Sequence, residues 1–142
     1  MIVNPYGGTK QGKKILKKVT PIFDKAGAEL FIIETKFAGH AQELANQLDL
    51  NGFDGFIGIG GDGTLHEVTN GMLSRCDGVK IPIGIIPAGS GNSYMHDLKL
   101  TDPIQSAKSI IEGKKHPVDA ARIEVNHVIK YAMNMIGWGL VT

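Results

Sequence analysis

The stretch Gly58-Ile59-Gly60-Gly61-Asp62-Gly63-Thr64-Leu65-His66-Glu67-Val68-Thr69-Asn70-Gly71 constrains the fold more than any other. An apolar run, residues 55–59, enters it, and the helix-like spacing of Leu65, Val68 and Met72 leaves it. Between them lie Gly60, Gly61 and Gly63 and one carboxylate, Asp62. That is the pattern of a strand, a glycine turn and a helix. The first turn of a helix carries unpaired N–H groups and a partial positive charge. Glycine has no Cβ, so an anion can come close to the backbone. The loop therefore reads as a cradle for the phosphates of a nucleotide.

The flanking chain supplies the setting. Residues 1–3 look like the end of a short strand, and Asn4-Pro5-Tyr6-Gly7-Gly8 is a turn by composition. Residues 10–26 predict an amphipathic helix, with Ile15, Leu16, Val19, Ile22, Phe23 and Ala26 on one face and Lys10, Lys13, Lys14, Lys17 and Lys18 on the other. Pro21 is an irregularity that predicts a kink. The lysine face reads as solvated surface, or as attraction to anionic lipid headgroups. Residues 28–34, with Leu30-Phe31-Ile32-Ile33, predict a strand buried on both faces, and Thr35 falls at its exit. A second helix is expected over 39–48, a strand over 53–59, and a helix from the glycine loop to about Arg75. A further strand over 81–86 ends in Pro87-Ala88-Gly89-Ser90-Gly91-Asn92, a second glycine turn with a helix-like start, and a last helix over 103–112 is closed by Gly113.

This alternation predicts an α/β fold, a parallel sheet with helices on both faces. Ligands bind such sheets beyond the carboxyl ends of the strands, where Asn4-Pro5, Thr35, residues 60–64 and residues 89–92 all fall. After Lys115 the pattern changes. Residues 118–125 and 128–136 predict two strands joined by a turn at Asn126-His127. The expected organisation is an α/β nucleotide-binding domain over 1–114 and the first strands of a β-rich domain over 115–142. The chain stops before that domain could be complete, so a fragment is expected.

Composition narrows the function classes. The 142 residues are 42% hydrophobic and 20% charged, as in a globular protein. A net charge of +1 gives no argument for nucleic acid. Cys76 is the one cysteine, so no intrachain disulfide can form, and it reads as an inert thiol. No apolar run approaches the ~20 residues that span a bilayer, and Asn4-Pro5 interrupts the opening apolar residues too early for a signal peptide. The expected location is cytoplasmic, with peripheral membrane association as an accompanying reading of the lysine face.

Three motifs then occur in order: Asn4-Pro5-x-x-Gly8; Gly60-Gly61-Asp62-Gly63-Thr64 continuing into Glu67-Val68-x-Asn70-Gly71; and Pro87-x-Gly89-Ser90-Gly91-Asn92. Together they resemble the catalytic domain shared by diacylglycerol, sphingosine and ceramide kinases, over almost the whole chain. The glycine-aspartate piece alone also resembles phosphofructokinases and NAD kinases. The asparagine-proline opening and the Glu-Val-x-Asn-Gly extension point to the lipid kinases. The resemblance implies a phosphofructokinase-like nucleotide-binding domain and transfer of the γ-phosphoryl of ATP to a lipid hydroxyl at a membrane surface, with Mg²⁺. It implies a nucleotide site lined by Asn4, Pro5, Gly7, Gly8, Thr35, Gly60, Gly61, Asp62, Gly63, Thr64, Glu67, Ser90, Gly91 and Asn92. Ser90-Gly91-Asn92 without a following aspartate, and Gly137-Trp138-Gly139, resemble the sphingosine kinase branch. There Asp119 would meet the lipid's polar head, whose ammonium suits a carboxylate.

Asp62 carries three readings: acceptor of the substrate hydroxyl's proton, ligand of Mg²⁺, or cap of the helix from Thr64. In the resembling sphingosine kinases the matching aspartate is the base; in bacterial diacylglycerol kinases an aspartate of the second domain is. Glu67 reads as support for the loop or partner of a basic group, and His66 as surface, without metal-ligand spacing. No lysine follows Gly63 as in a Walker loop. A kinase for a soluble substrate such as NAD, and a non-catalytic nucleotide-binding module, are the alternatives.

Overall fold

The computed structural model describes residues 1–7, 10–89 and 92–133. Strands β1 (Ile2–Val3), β2 (Ile33–Glu34), β3 (Phe56–Gly60) and β4 (Ile83–Pro87) form a wholly parallel sheet in the order β2-β1-β3-β4. Helices α1 (Gly12–Lys25), α2 (His40–Gln47), α3 (Asp62–Leu73), α4 (Ser93–Asp97) and α5 (Pro103–Ile111) complete the layer architecture, and β5 (Ala121–Val125) and β6 (Val128–Ala132) form a separate antiparallel pair.

The strand order fixes which helix covers which face. The chain moves outward from β1 to β2, then returns past β1 to β3 and on to β4. Right-handed crossovers running in opposite directions deliver their helices to opposite faces. Alternating strand side chains show the result. Val3, Ile59 and Ile86 pack with Ile15, Val19 and Phe23 of α1 and Ala107 of α5. Ile2 and Phe56 pack on the other face with Ala41 and Ala45 of α2 and Val68 and Met72 of α3. Pro21 lies inside α1, which continues to Lys25. Lys13, Lys14, Lys17 and Lys18 are exposed, and Lys13 pairs with Glu34 at 2.9 Å.

Two strand expectations change. The run at residues 30–33 is not a strand buried on both faces. β2 is an edge strand of two residues, with Phe31 56% and Ile32 39% exposed. An apolar run of that length does not reveal its neighbours, and here one flank has none. Conversely, the short β1 is central, with Ile2 and Val3 buried and paired to both β2 and β3.

Helices α2 and α3 are joined at three points spaced four residues apart, two on α3 and one just past its end. Glu67 accepts hydrogen bonds from the N–H groups of Gly39 and Ala41, at 2.9 and 3.1 Å, at the start of α2. A Cβ on Gly71 would lie 2.2 Å from the Gln42 carbonyl oxygen, so only glycine permits this helix separation. Arg75 donates to the Ala45 and Leu48 carbonyl oxygens at the end of α2, both at 2.9 Å, and pairs with Asp77. A carboxylate at the helix start and a guanidinium at its end both oppose the macrodipole's partial charges. The Arg75 guanidinium, with the Val79 amide, holds the Asp77 carboxyl below the usual carboxylate range.

The second sheet is the hairpin expected from Asn126-His127. Both turn residues have positive φ, 50° and 64°, as a two-residue type I′ turn requires. The strand expected over 128–136 ends at Ala132, Met133 is a bend, and residues 134–136 lie outside the described residues.

Candidate functional site

All four parallel strands end on one rim, and backbone hydrogen bonds join their exits side by side. Thr35 N–H donates to the Val3 carbonyl at 2.8 Å, Asn4 N–H to that of Ile59 at 3.1 Å, and Ala88 N–H to that of Gly60 at 2.9 Å. The sheet's topological switch point lies between β1 and β3, where the chain leaves in opposite directions. Open α/β sheets bind ligands in the crevice at that point. Asn4 lies on one side of it and residues 60–64 on the other.

Each loop is shaped by close approach. Asn4 Oδ1 accepts the Tyr6 N–H at 3.0 Å, and a Cβ on Gly7 would come 2.8 Å from Asn4 Nδ2. Pro5 is buried beneath this turn. A Cβ on Gly60 would meet the Thr64 hydroxyl at 2.1 Å, so the Thr64 side chain, 5% exposed, is turned back against the sheet. Thr64 therefore offers its amide to the rim and not its hydroxyl. The first hydrogen bond of α3 runs from Leu65 N–H to Gly61 at 3.1 Å. The amides of Asp62, Gly63 and Thr64 precede it and have no carbonyl of the helix to bond. Gly63 is exposed, with no atom within 4 Å of where its Cβ would stand.

Asp62 is the first residue of α3, and its carboxylate does not cap that helix. It reaches the second glycine turn instead: Ser93 N–H donates to Oδ2 at 2.8 Å and Tyr94 N–H to Oδ1 at 3.3 Å. The capping expectation is thus corrected. The carboxylate caps α4, 31 residues away, because α3 already begins at Asp62. Gly89 completes the junction, since a Cβ there would be 3.2 Å from Gly61 Cα. Asn92 Nδ2 donates to the Gly89 carbonyl at 2.6 Å, while its buried Oδ1 has no partner among the described residues. Burial, helped by Asp97, raises the pKa of the Tyr94 phenol and keeps it neutral.

On its other side Asp62 faces a shallow cleft between α3 and the hairpin, lined by Leu65, His66, Thr69, Tyr131 and Met133. The cleft is apolar at Leu65 and Met133 and acidic at Asp62. His66, read from sequence as surface, lies on its wall.

The remaining expected residues divide. Gly8, Ser90, Gly91 and residues 137–139 lie outside the described residues. Thr35 is buried at the β2 exit beside β1. The two carboxylate oxygens of Glu67 accept the Gly39 and Ala41 N–H groups at the start of α2. Asp119 is exposed between α5 and β5, with no hydrogen-bond or ion-pair partner among the described residues.

The profile of the diacylglycerol kinase catalytic domain matches residues 1–123. The chain belongs to the diacylglycerol kinase catalytic domain family. Sphingosine kinase 2 of Arabidopsis thaliana is 39% identical to it over 99% of this chain and 31% of its own length. Sphingoid long-chain bases kinase 1 of the same plant is 41% identical over 100% of this chain and 20% of its own. Human ceramide kinase is 31% identical over 98% and 29%. These family members support the sphingosine kinase-like branch. The chain thus spans 31%, 20% and 29% of the lengths of these curated relatives. The crystal structure of a diacylglycerol kinase from Bacillus anthracis strain Sterne superposes with a TM-score of 0.72 at 31% identity, over 84% of this chain and 41% of that one.

Several residues of this family site were not singled out from sequence. Arg75 carried no motif. Leu65, Thr69, Tyr131 and Met133 form the cleft only once the hairpin is folded beside α3. Asn70 had a place in the second motif but no sign of its role: at two residues from both Val68 and Met72 it faces away from them on the helix, and it is the hairpin that buries it.

Proposed function

We propose that the protein carrying this chain is an ATP-dependent lipid kinase, with the α/β domain over 1–114 as its nucleotide-binding part. The observation that carries this is the double position of Asp62. Its carboxylate joins the two glycine loops at the switch point and also borders a partly apolar cleft. A group so placed stands between a phosphate cradle and a lipid's hydroxyl.

In this reading the amides of Asp62, Gly63 and Thr64, with the α3 dipole, receive the phosphates of ATP. Gly63 lets the phosphates approach, Gly60 makes room for the Thr64 side chain behind the loop, and Asn4, Pro5, Gly7 and Thr35 flank the nucleoside. The acceptor hydroxyl lies in the cleft beside Asp62. Its oxygen forms a bond to the γ-phosphorus as the bridging bond to the β-phosphate breaks, and ADP leaves. The hydroxyl proton passes to Asp62, whose oxygens each keep a lone pair beyond those used by the Ser93 and Tyr94 amides. Leu65 and Met133 give the cleft an apolar side against which a lipid chain can lie.

Mg²⁺ fits the donors present. Asp62 and the unpaired Asn92 Oδ1 are hard oxygen ligands, and no group of three or more His, Cys, Asp or Glu among the described residues forms a metal cage. Mg²⁺ ordinarily takes one or two protein oxygens and completes its shell with phosphate and water. When bound it would neutralise phosphate charge that no Walker lysine offsets here.

The similarity to sphingosine and sphingoid-base kinases supports a sphingoid base as acceptor, with Asp119 toward its ammonium and residues 115–142 opening the lipid-binding domain. A membrane-borne substrate accords with the lysine face of α1. No helix of the described residues is long and apolar enough to cross a membrane. None of the three named kinases is an NAD or sugar kinase, so the soluble-substrate alternative gains no support.

The test is incubation of the whole protein with γ-labelled ATP and sphingoid base, ceramide, diacylglycerol and NAD. Label is expected in a lipid, most in the sphingoid base, and not in NAD. Folded, ATP-binding protein that labels no lipid would overturn the proposal.

A further inference from the structure

Among the described residues, Asn70 of α3 makes both hydrogen bonds to the hairpin backbone, beside a longer contact from the Thr69 hydroxyl to the Met133 sulfur at 3.6 Å. In a two-residue hairpin, facing pairs alternate between those that exchange backbone hydrogen bonds and those that direct their N–H and C=O outward. Val125 and Val128 flank the turn and form an exchanging pair, so Arg122 and Tyr131 form an outward one. Tyr131 should therefore present an unpaired N–H and C=O along the free edge of β6. Asn70 meets both. Its Oδ1 accepts the Tyr131 N–H at 2.8 Å, and its Nδ2 donates to the Tyr131 carbonyl at 2.8 Å. The second Nδ2 hydrogen goes to the His66 carbonyl at 2.9 Å, which locks the amide on its own helix. The side chain, 2% exposed, acts as one residue of an added strand.

Asn70 stands on the helix whose first residue is Asp62. The two walls of the cleft, His66 and Thr69 on α3 and Tyr131 and Met133 on the hairpin, meet through this amide. We infer that Asn70 is a positioning residue that sets the acceptor side of the cleft relative to Asp62. This rests on the kinase reading above. Asn70 touches neither nucleotide nor acceptor in it; it acts through Tyr131.

The chemistry chooses the variants. Asn70→Asp keeps the size but sets a carboxylate oxygen against two carbonyl oxygens, which repels the hairpin. Asn70→Ala removes both bonds without repulsion. Each variant of the whole protein is compared with wild type for ATP affinity, for lipid-acceptor kinetics at saturating ATP, and for amide hydrogen exchange at Tyr131 and along β3. For both variants kcat/KM for the lipid should fall about 10- to 100-fold, the scale expected when reacting groups are misplaced by about 1 Å. Asn70→Asp should show the larger fall. ATP affinity should stay within about twofold, a difference of only ~0.4 kcal/mol. Tyr131 should exchange faster while β3 keeps its protection. Unchanged acceptor kinetics would overturn the inference. So would a parallel loss of ATP affinity and β3 protection, which marks Asn70 as a general structural residue. Should wild type phosphorylate no lipid, the kinase reading falls instead, and the Tyr131 exchange arm still reports whether Asn70 tethers the hairpin.

Discussion

One methyl group would separate two kinds of glycine in the loop after β3. At Gly60 it would collide with the Thr64 side chain at 2.1 Å; at Gly63 it would enter open space. Gly60→Ala should therefore lower stability by about 1–3 kcal/mol through overpacking, seen as a reduced Tm. Gly63→Ala should hold or raise Tm, since alanine favours a helix by up to about 1 kcal/mol over glycine. The same variant should weaken nucleotide binding by about tenfold or more, roughly 1.4 kcal/mol, because the methyl stands where a phosphate must approach. Calorimetric titration with ATP separates the two effects, and unaltered ATP affinity in Gly63→Ala would exclude phosphate contact there. Asp62→Asn tests the neighbouring side chain. The amide keeps one acceptor for α4 but cannot take a proton, so lipid phosphorylation should fall by about 10²–10⁴. Circular dichroism should remain native, and a variant with full turnover would remove Asp62 from the chemistry. The glycines were legible in sequence as the turn from a strand to a helix, as they stand between β3 and α3. The partners of Asp62 were not, because Ser93 and Tyr94 lie on another loop, brought close only by the pairing of β3 with β4.

At the scale of elements, α3 is the member that others are built on. One of its edges carries Glu67 and Gly71 toward α2, with Arg75 just past its end, and another carries His66 and Asn70 toward the hairpin. The motif Glu67-Val68-x-Asn70-Gly71 therefore has a physical content its letters do not show: cap, core, tether, close approach. Gly71→Ala should push α2 away and cost about 1–3 kcal/mol of stability in denaturant unfolding. Its effect on nucleotide binding should be small, because the glycine loop lies at the other end of α3. Removing Arg75 leaves two α2 carbonyls without their charged donor, at about 1–3 kcal/mol. The Arg75–Asp77 pair also predicts a direction with pH. The folded-state pKa of Asp77 is depressed below its ordinary value of 3.8. Its contribution is thus present above that value and lost as pH falls through the lower folded one. Acid unfolding of Asp77→Asn should be less steep than that of wild type in that range. Periodicity revealed α3 and α2 as helices, but it carries no record of which helix touches which.

For the whole molecule, the order of βα units was readable from alternating apolar runs, and so was the change to a hairpin after residue 115. Strand order was not. Residues 30–33 read as part of a strand buried on both faces, yet β2 is a two-residue edge strand preceded by the exposed Phe31 and Ile32; residues 1–3 read as the end of a short strand, yet β1 is central. Order depends on which strands hydrogen-bond, and apolar content is a poor guide when helices cover both faces. The two sheets should also differ in local stability. β3 is flanked by strands on both sides and mostly buried, while β5 and β6 pair only with each other among the described residues, with Val125 61% and Val128 55% exposed. An isolated pair of strands is marginal in water. Amide exchange in β5 and β6 should therefore run well ahead of that in β3, and equal protection in both would contradict this ranking.

The central position of β1 also bears on how the protein is made. Ile2 pairs with Ile33 on one side and Gly58 on the other. At about 5–20 residues per second of synthesis, some 3–11 s separate the emergence of β1 from that of β3. Through that interval two apolar residues bound for the middle of the sheet have at most an edge strand for company. The nascent chain must shelter them, against the apolar face of α1 or in the grip of a chaperone, until the glycine loop itself has been translated.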